Sequence, residues 1–233
     1  MLDPRLLGDR LFRSTTLTLV FSTGAFLGLL FLVPQFLQDA HGSSALESGL
    51  STSPEALGVI ACSQLVGRLY PRVGPRRLMA FGLGWMAVMI TMLSRIDTGT
   101  SLWWVRVAMF FAGTGYAFVL IPLQASSFAR IMPADTGRAS ALFNTTRQVS
   151  AALGVAVLAT ALQAWVTGAG EPGQVVTGDD VAGYQRTFVV AAVIAALGAL
   201  VALRIRDSDA TSTMRRRGAA AEPHAPAAAV VDL

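Results

Sequence analysis

Six stretches of this sequence are apolar over lengths that suffice to cross a lipid bilayer. A helix needs about 20 mostly apolar residues to cross the hydrocarbon core. We predict spans at residues 14–37, 50–69, 78–94, 102–128, 139–166 and 187–203. None of them alternates polar and apolar residues as a barrel strand does, and a helix satisfies its backbone polar groups internally. The sequence therefore predicts an all-α, polytopic integral membrane protein.

The composition agrees with a membrane protein and argues against a nucleic-acid-binding protein. Hydrophobic residues make up 53% of the chain and charged residues 14%, against about 25% charged in soluble domains. The net charge of +4 comes entirely from arginine as the basic residue. Because these arginines lie beside the ends of spans and do not form one basic face among aromatics, we expect no nucleic-acid partner.

The arginines also predict the orientation of the chain, since basic residues are retained on the cytoplasmic side. Most of them precede the first span or fall on alternate connections, and only Arg95 and Arg186 lie on the opposite side with several acidic residues. We predict a multi-pass protein of the inner (plasma) membrane with both termini in the cytoplasm. Residues 1–206 would form the six-helix bundle, and the arginine- and alanine/proline-rich residues 207–233 a disordered cytoplasmic tail.

Residues that carry enzyme chemistry are sparse. The single cysteine, Cys62, falls inside a predicted span, and the two histidines, His41 and His224, have no partners at metal-ligand spacing. The sequence argues against the alternative of an enzyme that acts on lipid, because no carboxylate pair, histidine cluster or metal motif lies near a span end. We therefore predict no enzyme activity, no bound metal and no cofactor.

Residues 67–78 form a basic, glycine-bounded segment between the second and third spans. This segment resembles the loop signature of the major facilitator superfamily, which has a glycine, an apolar pair, Asp-Arg, a second glycine and a basic cluster. The matching positions are Gly67, Leu69, Arg72, Gly74, Arg76 and Arg77, whereas Pro71 stands where the family has its aspartate. The resemblance implies a loop that locks and releases the cytoplasmic helix ends. A short positive-inside turn with glycines for packing explains the same residues equally well.

Two further stretches, residues 32–54 and 113–157, sharpen the resemblance, above all Asn144-Thr145-Thr146-Arg147-Gln148. Residues 5–206 resemble the C-terminal six helices of the fourteen-helix drug:proton antiporters of that superfamily. This implies one half of a facilitator-type bundle, in an efflux transporter that exchanges small amphipathic drugs or toxic compounds for protons by alternating access.

The same resemblance implies what surrounds the chain. Its partners would be the lipid bilayer, a small-molecule substrate, protons and a second six-helix bundle, supplied by a separate N-terminal half or a second copy. The alternative is a non-transporting membrane protein, either a truncated remnant or a helper subunit of another membrane protein.

Polar side chains inside the spans are the candidate proton or substrate pathway, because ionisable groups are costly in lipid. The candidates are Glu55, Arg106, Asn144, Arg147 and Gln148. Glu55 would carry a proton or else reach water at the outer end of its span, and Arg106 would face the cavity or reach the headgroups. The three residues of the fifth span form one helical stripe, which should face protein or a water-filled path.

Overall fold

The computed structural model describes residues 10–127, 136–166 and 178–205. Helices account for the fold there, and the all-α prediction is confirmed. The helices are α1 (Arg10–Asp39), α2 (Ala45–Thr52), α3 (Pro54–Val73), α4 (Pro75–Leu93), α5 (Leu102–Ser127), α6 (Thr136–Trp165) and α7 (Gly178–Ala202). The predicted tail, residues 207–233, lies outside the described residues.

Within the described ranges, five helices are long and apolar enough to cross a membrane: α1, α4, α5, α6 and α7. This confirms a polytopic membrane protein. The remaining predicted span, residues 50–69, corresponds to α2 and α3. Helix α3 has the length to span but carries Glu55, Gln64 and Arg68, which lower its apolar character. The count of six spans, with both termini on one side, stays a prediction.

A proline divides α2 from α3. Ser44 caps the start of α2, where its Oγ accepts the Glu47 N–H at 3.2 Å and its own N–H donates to the Glu47 carboxylate at 3.1 Å. Ser53 keeps helical dihedral angles (φ −55°, ψ −27°), but Pro54 has no N–H to continue the backbone hydrogen bonds. The backbone hydrogen bonds are therefore interrupted at Pro54, and α2 begins about one and a half turns before the predicted start at residue 50.

Other helices also begin earlier than the apolar pattern predicts. Helix α7 begins at Gly178, upstream of residue 187, and its first turns carry Asp179, Asp180 and Arg186. The hydropathy pattern did not predict these first turns, because it reports only the part of a helix that lies inside the hydrocarbon. Charged helix ends that emerge from the membrane are invisible to such a pattern.

The helices pack in a defined order. Helix α5 lies against α3 on one side and α4 on the other, α7 lies between α4 and α1, and α6 packs on α1; α1 also contacts α5. Only 22% of the most apolar window of α6 is buried, against 61% for α1. Helix α1 therefore lies inside the bundle, and α6 lies at its edge.

Glycines allow the closest helix crossings. A Cβ atom added to Gly154 of α6 would fall on the backbone of Gly24 of α1, and one added to Gly113 of α5 would fall on the carbonyl of Glu55 in α3. In a membrane, small residues of this kind let helix backbones approach and pack. These crossings fix α3 and α6 against the interior helices.

Aromatic residues join α1 and α7 at one end of the bundle. The Phe36 ring makes edge-to-face contacts with Tyr184 and Phe188, with centroid distances of 5.4 and 6.4 Å. The Tyr184 hydroxyl donates a hydrogen bond to the Asp39 carboxylate. This end, which includes the last residue of α1, lies opposite the Gly74 joint between α3 and α4.

Candidate functional site

Glu55 lies in the first turn of α3 with part of its carboxyl group enclosed. Its Oε2 atom is buried, and no hydrogen-bond partner reaches it among the described residues. Buried polar atoms in proteins are nearly always paired, and an unpaired carboxyl oxygen in a membrane protein is a functional candidate by default. Glu55 is therefore the first member of the candidate site.

The structure places Glu55 deeper than the sequence predicts. Its backbone carbonyl packs against Gly113, which lies near the middle of α5. The two turns of α2 continue beyond it, so a carboxylate at this position is further from the end of its helical segment than the prediction of a span starting at residue 50 suggested. Glu55 thus sits at mid-height of the bundle.

Tyr116 of α5 lies next to this region with its ring against α1. The ring stacks on Phe26 with a centroid distance of 3.8 Å and an interplanar angle of 4°, and Tyr116 is only 5% exposed. The Thr23 side chain lies near its hydroxyl, but no hydrogen bond reaches the buried Thr23 Oγ1 from the described residues. A phenol and an unsatisfied hydroxyl therefore share the interface of α1 and α5.

Charges from two further helices act on the same phenol. Tyr116 lies within electrostatic reach of Glu55 from α3 and of Arg147 from α6. We call Thr23, Glu55, Tyr116 and Arg147 the central polar cluster. Thr23, Glu55 and Tyr116 come from α1, α3 and α5, whereas Arg147 lies on the exposed face of α6 beside them.

Sequence reasoning missed Thr23 and Tyr116. Ionisable and amide side chains within the spans are the candidates that the sequence offers, because a threonine or tyrosine within an apolar run is usually a packing residue. The available signal was weak: Tyr116 follows the small residues Gly113, Thr114 and Gly115. Only the packing of α5 on α1 shows that its hydroxyl meets another polar group.

The polar stripe of α6 does not turn toward the interior of the described bundle. Asn144, Arg147 and Gln148 are all exposed, and the Asn144 amide donates to the carbonyl of Ser140 in its own helix at 3.0 Å. The sequence predicted a stripe covered by protein or water. Nothing in this part of the chain covers it, and a covering partner stays a prediction.

Arg106 ties α5 to α2. Its Nε lies 3.4 Å from Ser51 Oγ, and its guanidinium carbon lies 5.1 Å from the centroid of the Trp103 ring. A cation over an indole face is favourable by about 0.5–2 kcal/mol. Both contacts are with residues outside the central polar cluster, so the structure does not bring Arg106 together with Glu55.

The motif residues between the second and third predicted spans are mostly helical. The predicted turn over residues 67–78 shrinks to Gly74, whose φ of 85° favours glycine and whose N–H donates to the Tyr70 carbonyl at 3.1 Å. The other motif residues flank this joint: Gly67, Leu69 and Arg72 lie in α3, and the exposed Arg76 and Arg77 lie in the first turn of α4. Helices α3 and α4 are thus joined by one residue.

Comparison with known proteins relates the chain to a family of membrane transporters. Residues 3–155 match the Major Facilitator Superfamily. The chain is 31% identical over 185 residues to the lincomycin resistance protein LmrB of Listeria monocytogenes, an alignment that covers 77% of this chain and 39% of LmrB.

Two other relatives have related names. The multidrug resistance protein Stp of Mycobacterium tuberculosis is 31% identical over 167 residues, covering 70% of this chain and 31% of Stp. The multidrug export protein EmrB of Escherichia coli is 27% identical over 165 residues, covering 69% of this chain and 31% of EmrB. The chain thus spans less than half the length of these relatives. Its apolar helices and the match over most of its length lead to one conclusion: the chain belongs to the Major Facilitator Superfamily of membrane transporters.

Proposed function

We propose that this chain is an efflux transporter or one half of one, which exports small amphipathic drugs or toxic compounds in exchange for protons. The observation that carries the proposal is the buried, unpaired Oε2 of Glu55 within the central polar cluster. The names of the relatives, which refer to drug resistance and drug export, support the same substrate class.

Glu55 suits the role of a shared binding site for a proton and a cation. A protonated carboxyl group is cheaper to bury than a carboxylate, and a carboxylate in a low-dielectric site attracts an organic cation strongly. A proton and a cationic drug would then compete for the same oxygen atoms. Mutually exclusive occupancy of one site is what couples two opposite movements.

The surroundings of Glu55 suit an amphipathic partner. The stacked pair of Phe26 and Tyr116 offers aromatic surface, and the Tyr116 and Thr23 hydroxyls offer polar contacts. Sites for small molecules commonly combine apolar walls with a few polar groups that fix orientation. Arg147 would supply a positive charge within electrostatic reach of the Tyr116 hydroxyl.

Alternating access requires a second bundle, because a cavity at mid-height needs walls on both sides. The exposed polar stripe of α6 and the exposed face of α3 are the surfaces that such a bundle would cover. In the plasma membrane, with both termini cytoplasmic, the single-residue joint at Gly74 would lie on the cytoplasmic side. There it would make α3 and α4 move together as the bundles rock.

Proton flux in proteoliposomes tests this function. The purified chain, alone and then co-reconstituted with a candidate N-terminal six-helix bundle, is given a gradient of an amphipathic cationic drug, and internal pH is recorded. We expect drug-driven flux that Glu55→Gln abolishes and Arg147→Ala reduces, because the first removes the titrating group and the second removes the positive charge that acts on Tyr116. The control is Glu47→Gln, which removes an exposed carboxylate at the capping box of α2, where glutamine also serves.

The two preparations separate the forms of the proposal. Flux from the chain alone establishes a self-sufficient transporter, whereas flux only with the second bundle establishes a half-transporter. Absence of flux in both preparations, with helical content intact, would overturn the proposal and favour a remnant or helper protein.

A further inference from the structure

An apolar groove runs between α4 and α7, away from the central polar cluster. It has a volume of about 460 Å³, and its lining is almost entirely apolar. Val88 and Val193, on opposite walls, are about half exposed, and the hydroxyl of the lining residue Thr91 already donates to the Ala87 carbonyl at 2.8 Å. The groove thus offers a hydrocarbon surface with little polar chemistry along its length.

One end of this groove carries two arginines. Arg95, just past the end of α4, lines the groove directly. Arg186 lies one helical turn before the lining residue Val189 and so on the same face of α7, and helical side chains lean toward the N-terminus of their helix, here toward the same end. The Gln185 amide donates to the Ile96 carbonyl at 2.9 Å, which holds the residues next to Arg95 and Arg186 together.

These arginines are exceptions in the charge pattern of the chain. They lie at the end of α4 and the start of α7, opposite the Arg76 and Arg77 end of α4, whereas most arginines flank the other ends of the spans. The acidic side chain nearest to Arg95 in sequence, Asp97, accepts hydrogen bonds from Gly99 N and Thr100 Oγ1 within its own turn, and Asp179 and Asp180 lie about two turns before Arg186 in α7. A positive mouth on an apolar groove is complementary to a molecule with an anionic head and a hydrocarbon tail.

We propose that the groove between α4 and α7 binds a phospholipid with an anionic headgroup, in the leaflet on the side of Arg95 and Arg186. One acyl chain lies in the groove, and the phosphate accepts charge-assisted hydrogen bonds from the two guanidinium groups, whose planar forks match phosphate geometry. Basic pockets between membrane helices bind anionic lipid headgroups by the same chemistry. The site is independent of the proposed transport function, because it uses no residue of the central polar cluster.

Native mass spectrometry of the purified full chain tests the site with two lipids of identical acyl chains, phosphatidylglycerol and phosphatidylcholine. The wild type should retain one phosphatidylglycerol molecule in preference to phosphatidylcholine. In the Arg95→Gln/Arg186→Gln variant, phosphatidylglycerol affinity should fall about 30-fold, as expected from about 1 kcal/mol for each arginine. The matched control, Arg68→Gln/Arg204→Gln, removes two arginines from the opposite ends of helices and should behave as wild type.

A second pair of variants tests the groove. Val88→Trp/Val193→Trp fills it from two exposed positions and should abolish preferential lipid retention with both arginines present, whereas Val149→Trp/Leu153→Trp on α6 should not. Glycerol phosphate should not displace the lipid, because it lacks the acyl chain. Equal retention of the two lipids by the wild type, or wild-type affinity in the double-arginine variant, would overturn the proposal, as would displacement by glycerol phosphate.

Discussion

Two tyrosines in this protein show how the same side chain serves different ends in different surroundings. Tyr184 is fully buried, and its hydroxyl donates to Asp39, an interaction that joins α7 to α1. Tyr116 is also buried, but its hydroxyl lies near Thr23 and within electrostatic reach of Glu55 and Arg147. The first hydroxyl completes a structural contact, and the second belongs to a cluster whose polar atoms are not all satisfied.

Removal of each hydroxyl should therefore have different consequences. Tyr184→Phe should destabilise the protein by about 1.5–3 kcal/mol, since it deletes a hydrogen bond to a carboxylate. Tyr116→Phe keeps the ring stacked on Phe26, so stability should change by less than about 1 kcal/mol, while drug affinity should fall by about tenfold. Denaturation in detergent and drug-binding titrations measure the two effects. A large stability loss in Tyr116→Phe, with unchanged drug affinity, would contradict a binding role for the hydroxyl.

At the scale of the helices, glycine positions decide which pairs approach closely. Gly154 and Gly24 bring α6 and α1 into backbone contact, whereas Gly84 of α4 has no atom near the place where a Cβ would stand. Gly154 and Gly84 both lie within helices, so the sequence alone does not show which of them packs closely against a neighbour. The difference lies in the neighbouring helix.

The same substitution at these two glycines should have opposite effects on stability. Gly154→Ala should destabilise the bundle by about 1–3 kcal/mol, because the added methyl group meets backbone atoms of α1 that cannot rotate away. Gly84→Ala should stabilise it by about 0.5 kcal/mol, since alanine loses less conformational entropy in a helix and meets open space. Thermal unfolding, followed by size-exclusion chromatography, ranks the stability of the wild type and the two glycine variants. If Gly154→Ala were as stable as wild type, α1 and α6 would not cross at this point.

At the scale of the whole molecule, the exposed faces of the edge helices differ from one another. Helix α7 exposes large apolar side chains such as Val189, Val193 and Leu200, as expected for contact with lipid. Helix α6 also exposes Gln148 and the small residue Ala152, which lipid contact does not explain. The second bundle of the proposed transporter would cover this side of α6 and leave α7 in lipid.

Spin labels on the two helices would detect that arrangement. In a Cys62→Ser background, labels at Ala152→Cys and Leu200→Cys should both collide with oxygen dissolved in lipid when the chain is reconstituted alone. On co-reconstitution with the second bundle, accessibility at position 152 should fall toward that of a buried site, and accessibility at position 200 should stay constant. Protection at position 200 instead would place the partner on the wrong face.

The sequence by itself determined the class of the protein, a polytopic helical membrane protein, because this class depends on local properties. Apolar length decides which segments can enter lipid, and a helix is the structure that satisfies their backbone groups. The motif at residues 67–78 and the Asn-Thr-Thr-Arg-Gln segment of α6 pointed to the family that the comparison confirmed. Glu55 and Arg147 were recognisable as candidates, since charged residues are rare within apolar runs.

Only the tertiary structure decided what these residues meet. The depth of Glu55 depends on the capped turns of α2 and on the crossing with Gly113, neither of which hydropathy reports. Thr23 and Tyr116 became site candidates because α1 and α5 pack together, and Arg106 turned toward Ser51 and Trp103. Contacts between helices far apart in the chain depend on shape and packing, and these are properties of pairs of helices that no single segment encodes.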